Sequence, residues 1–286
     1  MRSVVDVISE NYATLPKKLQ AAAKYAIDNP ERLAFGSMRS VAAECGVSTP
    51  TMLRLARSFG HQSYESFKET FQVAVANGSF SSRAQALQDP GEQSPEDESL
   101  KARIERAALR NIDSAVNQND ETTLRSMGRV LREADMTHIV AAGSMYWLAT
   151  HMEVTGSIAL RGLKAARPGS ATLVETIASI TPNDALLAIA VAPYAVSTVD
   201  AVKHAKRCGA TVMVITDRRS SPLAPHADYC LFASTDSPHY YPSVVGSALL
   251  AEMILAFAVA DGRDSEEALR RINKLEEIRL NTGAYI

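Results

Sequence analysis

Four short apolar runs in the second half of the chain restrict its fold more than any other feature. They are Thr137–Ala142 (THIVAA), Asp184–Val191 (DALLAIAV), Thr211–Thr216 (TVMVIT) and Tyr229–Phe232 (YCLF). A strand with one wet face alternates polar and apolar residues, and these runs do not alternate, so both of their faces must be covered. Helix-period sequence separates them: from the first run to about Leu160, and from Ser197 to Cys208. Leu100–Val116 and Glu121–Leu131 precede the first run as helices, and Ser243–Ala260 and Ser265–Leu280 follow the last. Unbroken strands alternating with helices predict a parallel sheet between two helical layers, a three-layer α/β fold. Ligands on such sheets bind beyond the C-terminal ends of the strands. Here those ends are Ala142-Gly143-Ser144, Val191–Val196 and Thr216–Ser221.

The first 76 residues have no such runs and read as all-α. Val4, Val5, Ile8 and Tyr12 recur at helical spacing, and Leu15 to Ile27 forms a second helix that Asn29-Pro30 ends. Met38 to Phe59 (MRSVAAECGVSTPTMLRLARSF) then has the form of a helix-turn-helix. Ala42 is the small residue where the helices cross, and Gly46 is the turn residue for which a positive φ is easy. Val41, Cys45, Val47, Met52 and Leu55 are the apolar positions that lock the pair. Ser37 caps the first helix of the pair, and Ser63 caps a later helix carrying Phe67, Phe71 and Val75.

The second helix of such a motif can lie in the major groove. Ser48 and Thr49 open it, Pro50 sits in its first turn, and Thr51, Leu53, Arg54 and Arg57 are expected to face outward. Arginine can pair bidentately with guanine or hold a phosphate, and a hydroxyl near a helix N-terminus can bond phosphate. Ser48, Thr49, Thr51, Arg54 and Arg57 are therefore the expected DNA contacts, with Ser48 also suited to cap the helix. Lys68 reads equally as a backbone contact or a plain surface lysine. Residues 1–76 hold nine Lys/Arg and seven Asp/Glu, a balance of +2, which points to a dimer that gathers its charge on one face.

Between the two halves, residues 77–99 (NGSFSSRAQALQDPGEQSPEDES) carry few apolar residues and no periodicity. They read as a flexible linker, giving domains at 1–76 and 100–286. The hydrophobic content of 46% and charged content of 22% are those of an ordinary soluble protein, and the net charge of -2 gives no global sign of nucleic-acid binding. Cys45, Cys208 and Cys230 have no metal-ligand spacing and read as small buried residues in a reducing compartment. No apolar run is long enough for a membrane span, and MRSVVDVISENY is too polar for a signal peptide. A cytoplasmic protein without metal or cofactor is expected.

The chain resembles the RpiR family of bacterial transcriptional regulators, which join an N-terminal helix-turn-helix domain to a C-terminal sugar isomerase (SIS) domain. The resemblance rests on LPKKLQAAAKYAIDNPERLAFGSMRSVAAECGVSTPTMLRLARSFGHQSYESFK and on APYAVSTVDAVKHAKRCGATVMVITDRRSSPLAPHADYCLF, above all on Thr216 to Asp228. It implies a flavodoxin-like SIS fold and a homodimer or homotetramer. It also implies operator DNA as partner, with a phosphosugar or related small-molecule effector that shifts DNA binding.

In SIS sites, glycine and hydroxyl groups at the strand ends cradle a phosphate, helped by a helix N-terminus. The first such loop usually reads G-x-G-x-S. This chain has Ala141-Ala142-Gly143-Ser144-Met145, keeping one glycine and placing Ser144 beside it. The second loop usually carries serines, but here Ala190 and Ala192 stand in their places, with Ser197 and Thr198 at the next helix start. Each lost charge-assisted hydrogen bond removes about 1.5–3 kcal/mol of phosphate affinity. Three readings stay open: an altered, more apolar or non-phosphorylated metabolite, a standard phosphosugar, or a degenerate site that serves only to dimerise. The residues for a ligand are Gly143, Ser144, Tyr194, Ser197, Thr198 and Thr216. Trp147 reads as core or interface, Tyr194 equally as pocket wall or subunit contact, and Thr216 as a strand end.

An SIS domain can also be an isomerase, which needs a carboxylate base and a second acid. Glu153, Glu175, Glu252, His151 and His239 are available, and their spacing assigns no pair. Glu252 lies on an apolar helix and would be perturbed if buried. The alternative to a regulator is thus a phosphosugar isomerase with an accessory helical domain. No GxSxG, Walker loop, HExxH or CxxC is present.

Overall fold

The protein is described from a computed structural model covering residues 4–78, 80, 83–84, 87, 99–167, 173–260 and 265–283. These residues form two compact units. Most of the expected linker at 77–99 lies outside the described residues; within it, residues 77, 78, 80, 83, 84 and 87 are helical.

Up to residue 78 the N-terminal unit carries the α-helices α1 (Val4–Asn11), α2 (Lys17–Asp28), α3 (Pro30–Phe35), α4 (Met38–Glu44), α5 (Thr49–Ser58) and α6 (Tyr64–Gly78). The short α3 was not expected from the sequence. Pro30 begins it, where a missing N–H costs nothing and the fixed φ suits a first turn. Ser37 caps α4 by accepting from the Ser40 amide at 3.1 Å, and Ser63 does the same for Ser66. Ile8, Ala22, Ala26, Leu33, Val41, Met52, Leu55, Phe67 and Phe71 form one buried core. Phe67 and Phe71 meet edge to face at 5.0 Å between ring centroids, a geometry aromatic pairs favour. Every helix except α1's polar flank and α5's outer face is thereby fixed against a shared apolar centre, so α5 is held as a rigid platform.

The boundary between the units falls within α7 (Leu100–Gln118), at Ala107, and α8 (Glu121–Glu133) follows in the second unit. The sheet and its crossovers follow as β1 (Thr137–Ala141), α9 (Tyr146–Ala159), β2 (Leu163–Ala165), α10 (Leu173–Thr176), β3 (Ala185–Ala190), α11 (Val196–Arg207), β4 (Thr211–Thr216) and β5 (Tyr229–Phe232). α12 (Val245–Ala260) and α13 (Ser265–Thr282) close it. All pairings are parallel, in the order β2-β1-β3-β4-β5. The strand β2 and the helix α10 were not expected; β2 has three residues and its central Lys164 is exposed, so it carries almost no apolar signal.

Every residue of β3 is buried, because its two faces serve two cores. Leu187 and Ile189 join α8, α9 and α12 through Met127, Leu148, Met152, Leu250 and Ile254. Leu186, Ala188 and Ala190 join α11 through Ala201, Val202 and Ala205 on the opposite side. This is the three-layer arrangement the apolar runs predict. α8 and α12 approach closely at Gly128, where an added Cβ would lie 2.7 Å from the Ala258 nitrogen. At the sheet edge, the Asn119 side chain accepts from the Phe232 N–H and donates to its carbonyl, both at 2.8 Å. A single amide thus satisfies backbone groups that an edge strand would leave open.

The strand order reverses direction between β1 and β3. Crossovers leave these neighbours to opposite faces, which opens a crevice at their C-terminal ends. The loops at Gly143 and at Val191–Ala195 both start there.

Candidate functional site

Two places carry polar groups that the core does not explain: the outer face of α5 and the strand ends of the sheet. At the first, α4 ends in a tight turn. Gly46 adopts φ +68°, and the Val47 amide bonds the Ala42 carbonyl at 2.9 Å. Val41, Ala42, Met52 and Leu55 are buried, with Cys45 and Val47 packed half-buried against them. Burial pushes the Cys45 thiol up; all three cysteines are free and half-buried rather than fully buried.

Ser48, Pro50, Arg54 and Arg57 are exposed on α5, and Thr49 and Leu53 are half-buried. Arg54 and Arg57, three residues apart, share one face. The outward placement expected for Thr51 is corrected: it is 4% exposed. It precedes Leu55 by four residues, so the helix period puts it on the buried face. Ser48 occupies the N-cap position, yet its hydroxyl caps no backbone amide. It pairs instead with the Thr51 hydroxyl at 2.9 Å, and Arg54 Nη2 approaches the same Thr51 oxygen at 3.5 Å. Lys68 is half-buried.

Behind this face, Glu44 at the end of α4 is the centre of a charge network. Arg32 donates to it from Nε at 3.0 Å, Ser40 donates at 3.0 Å, and the Tyr25 hydroxyl donates as well. Hydrogen bonds from Arg32, then Tyr25 and Ser40, hold the Glu44 carboxyl down to about 2. Three helices are thereby joined at the base of the helix-turn-helix.

At the strand ends, Gly143 has φ +57° and no heavy atom within 4 Å of a Cβ built on it. It and Ser144 floor an open cleft of 680 Å³ whose wall is α9, through Tyr146, Trp147, Thr150, His151 and Val154. The other expected ligand residues do not line this cleft. Tyr194 donates its hydroxyl hydrogen bond to the Asp217 carboxylate, tying the loop after β3 to the loop after β4. Thr216 is fully buried and bonded to the Ser221 hydroxyl at 2.9 Å. Ser197 is half-buried, and Thr198 is fully buried with no hydrogen-bond partner on its hydroxyl. Of the six, only Gly143 and Ser144 share one cavity.

Trp147 is 46% exposed, so the core reading of it does not hold. Thr150 and Val154 were not expected at the site, and Trp147 and His151 were named in other roles, although the four fall at i, i+3, i+4 and i+7 and so on one helix face. Among the candidate acid–base groups, only His151 lines the cleft. Glu175, Glu252 and His239 are exposed, and Glu153 lies 3.9 Å from Arg167. Among the described residues no cluster of His, Cys, Asp or Glu is suited to a metal, and no helix is long and apolar enough to cross a membrane.

Comparison with known proteins finds matches for both halves of the chain. Residues 3–78 match the family model for the helix-turn-helix domain of the rpiR family, and residues 131–260 match that for the SIS domain. An uncharacterised HTH-type transcriptional regulator of Haemophilus influenzae is 22% identical over 232 residues, covering 80% of this chain and 79% of that protein. The HTH-type transcriptional regulator HexR of Pseudomonas aeruginosa is 23% identical, covering 96% of this chain and 95% of HexR. Among solved structures, the sugar isomerase domain of an RpiR transcription factor from Sphaerobacter thermophilus is similar with a TM-score of 0.58 at 25% identity. It covers 63% of this chain and 99% of its own. The NanR protein of Vibrio vulnificus, complexed with ManNAc-6P, shares the fold with a TM-score of 0.59 at 17% identity, over 97% of this chain and 98% of its own.

Proposed function

Because the chain belongs to the RpiR family of helix-turn-helix regulators, we propose that it is a transcriptional regulator whose hold on operator DNA is set by a small metabolite. The N-terminal unit reads DNA by placing α5 in the major groove. Arg54 and Arg57 contact bases or phosphates, and Ser48 and Thr49 contact backbone at the helix start. Thr51 supports this face from beneath, since its hydroxyl is shared between Ser48 and Arg54. The observation that carries the reading is the turn itself. Gly46 at φ +68° seats α5 on a buried core and leaves two arginines on its outer face.

The second unit supplies the input. Its strand-order reversal sets the Gly143 loop beside the loop after β3, and a sugar-derived metabolite binds at these ends. The chain works in the cytoplasm as a homodimer or homotetramer, so metabolite and operator each favour one arrangement of paired subunits. Coupling of this kind is reciprocal: whatever factor the metabolite applies to operator affinity, the operator applies to metabolite affinity. In this reading the chain acts as a regulator rather than an isomerase; among the described residues that line the cleft, no carboxylate stands beside His151 to act as a base.

The test is selection of duplexes from a randomised pool, repeated with Arg54→Ala. The wild-type protein enriches one motif, and Arg54→Ala enriches none while keeping its melting temperature. Failure of the wild-type protein to enrich any motif, together with turnover of a phosphosugar, overturns the proposal in favour of an isomerase.

A further inference from the structure

We infer that Leu53 is a specificity-determining residue of the DNA-reading helix, and that the group it reads is the C5-methyl of a thymine. The inference rests on the reading of α5 as the helix in the major groove and names a base that this helix selects. The residues of α5 divide around its axis. Thr51, Met52, Leu55 and Ala56 are buried. Pro50, Leu53, Arg54 and Arg57 stand at i, i+3, i+4 and i+7 and so share the opposite face. Leu53 is half-buried, and it takes no part in the N-terminal core that holds Met52 and Leu55. Neighbouring residues on a helix diverge by about 100°. Leu53 and Arg54 therefore occupy the two flanks of the outer face, with Pro50 and Arg57 between them.

The two flanks differ in chemistry. On one, Arg54 brings a charge that α5 does not cancel, since its sequence TPTMLRLARS includes no acid. Its guanidinium is steadied from below: Thr51 Oγ1 lies 2.9 Å from the Ser48 hydroxyl and 3.5 Å from Arg54 Nη2. On the other flank Leu53 has neither charge nor hydrogen bond to give, and it gains only by covering another apolar group. Among the base edges of the major groove the thymine C5-methyl is that group. Set against the edge of an adenine, guanine or cytosine, the same side chain would take donors and acceptors from water without replacing their hydrogen bonds. Leu53 thus selects thymine twice, by contact with its methyl and by penalty against the other bases. Pro50, exposed one turn earlier, extends the apolar surface with a ring that has no N–H to donate.

Deoxyuridine tests this without altering the protein, because uracil pairs as thymine does and lacks only the methyl. Each thymine of the duplex enriched by the full-length protein is replaced in turn, and affinity is measured by fluorescence anisotropy at one salt concentration. At one thymine of each half-site the replacement weakens wild-type binding about fourfold, the effect of uncovering one methyl. Leu53→Ala binds the thymine duplex more weakly by a similar factor and does not respond to uracil at that position. Leu53→Gln keeps the helix and the reach of the side chain but not its apolar surface. In a repeated duplex selection it loses the preference for thymine at that position and keeps the rest of the motif. Both variants melt with the wild-type protein, since Leu53 lies outside the core. Wild-type binding that ignores uracil at every thymine overturns the inference. So does equal sensitivity of Leu53→Ala and the wild-type protein, or an unchanged motif for Leu53→Gln. A lowered melting temperature in both variants makes Leu53 a packing residue and overturns it as well. If the wild-type protein enriches no motif, the reading of α5 itself falls; an enriched motif without a methyl-sensitive thymine overturns only the role of Leu53.

Discussion

Arg32 and Glu44 lock α3 to α4: the guanidinium donates to both carboxylate oxygens, with Nε at 3.0 Å and Nη2 at 2.5 Å. The pair lies at the base of the DNA-reading motif, in solvent, so its strength depends on Glu44 staying ionised. The Glu44 carboxyl is lowered from 4.5 to about 2. A lowered folded-state value stabilises above the unfolded value and is lost as pH falls. The contribution is therefore complete above 4.5 and disappears as pH falls toward 2. Acid titration of unfolding will show a steeper loss for the wild-type protein across this window than for Glu44→Gln. Equal slopes would mean that the pair is not maintained in solution.

Gly46 supports the turn by conformation alone. Its φ is +68°, and nothing lies within 4 Å of an added Cβ. Gly46→Ala thus introduces no clash, only the cost of a left-handed backbone, about 1–2 kcal/mol. Denaturant unfolding of the N-terminal unit will register that loss, accompanied by weaker operator binding as α5 loses its seat.

Gly128 is the opposite case, a matter of space. An added Cβ would stand 2.7 Å from the Ala258 nitrogen and 2.9 Å from the Phe257 carbonyl carbon, both backbone atoms that cannot turn aside. Forcing α8 and α12 apart costs about 1–3 kcal/mol, against about 1 kcal/mol that alanine returns in helix propensity. Calorimetry of Gly128→Ala will show the second unit melting at a lower temperature, while a normal or raised melting point would contradict the close packing.

Tyr194 links two of the loops around the strand ends through Asp217. Tyr194→Phe keeps the ring and removes a hydrogen bond to a charged group, a loss of about 1.5–3 kcal/mol. Thermal-shift titration will show a weaker metabolite response with operator affinity in the absence of metabolite unchanged. If operator affinity alone falls, the loops belong to the DNA-binding machinery instead.

The strands whose residues are buried on both faces, β1, β3 and β4, announce themselves because burial leaves no room for polar residues. β2 and α3 do not, being three and six residues long, too short for any period to emerge. The turn at Gly46 was legible because backbone conformation restricts residue choice there. Thr51 was misplaced because its hydroxyl suggested DNA chemistry, whereas its spacing from Leu55 already put it inside. Within the sheet domain, Gly143 and Ser144 were visible as remnants of a phosphate loop. Trp147 and His151 were each singled out, but the helix face they share was not, because a stripe of mixed residue types on a surface helix resembles neither a core face nor a known loop.

The central claim is that α5 reads DNA sequence. Fluorescence anisotropy at one fixed salt concentration, comparing the enriched duplex with a scrambled duplex of equal length, tests it most directly. The expected ratio of affinities is about a thousandfold or more, collapsing toward unity for Arg54→Ala. Equal affinity of the wild-type protein for both duplexes would leave only phosphate attraction and contradict the account.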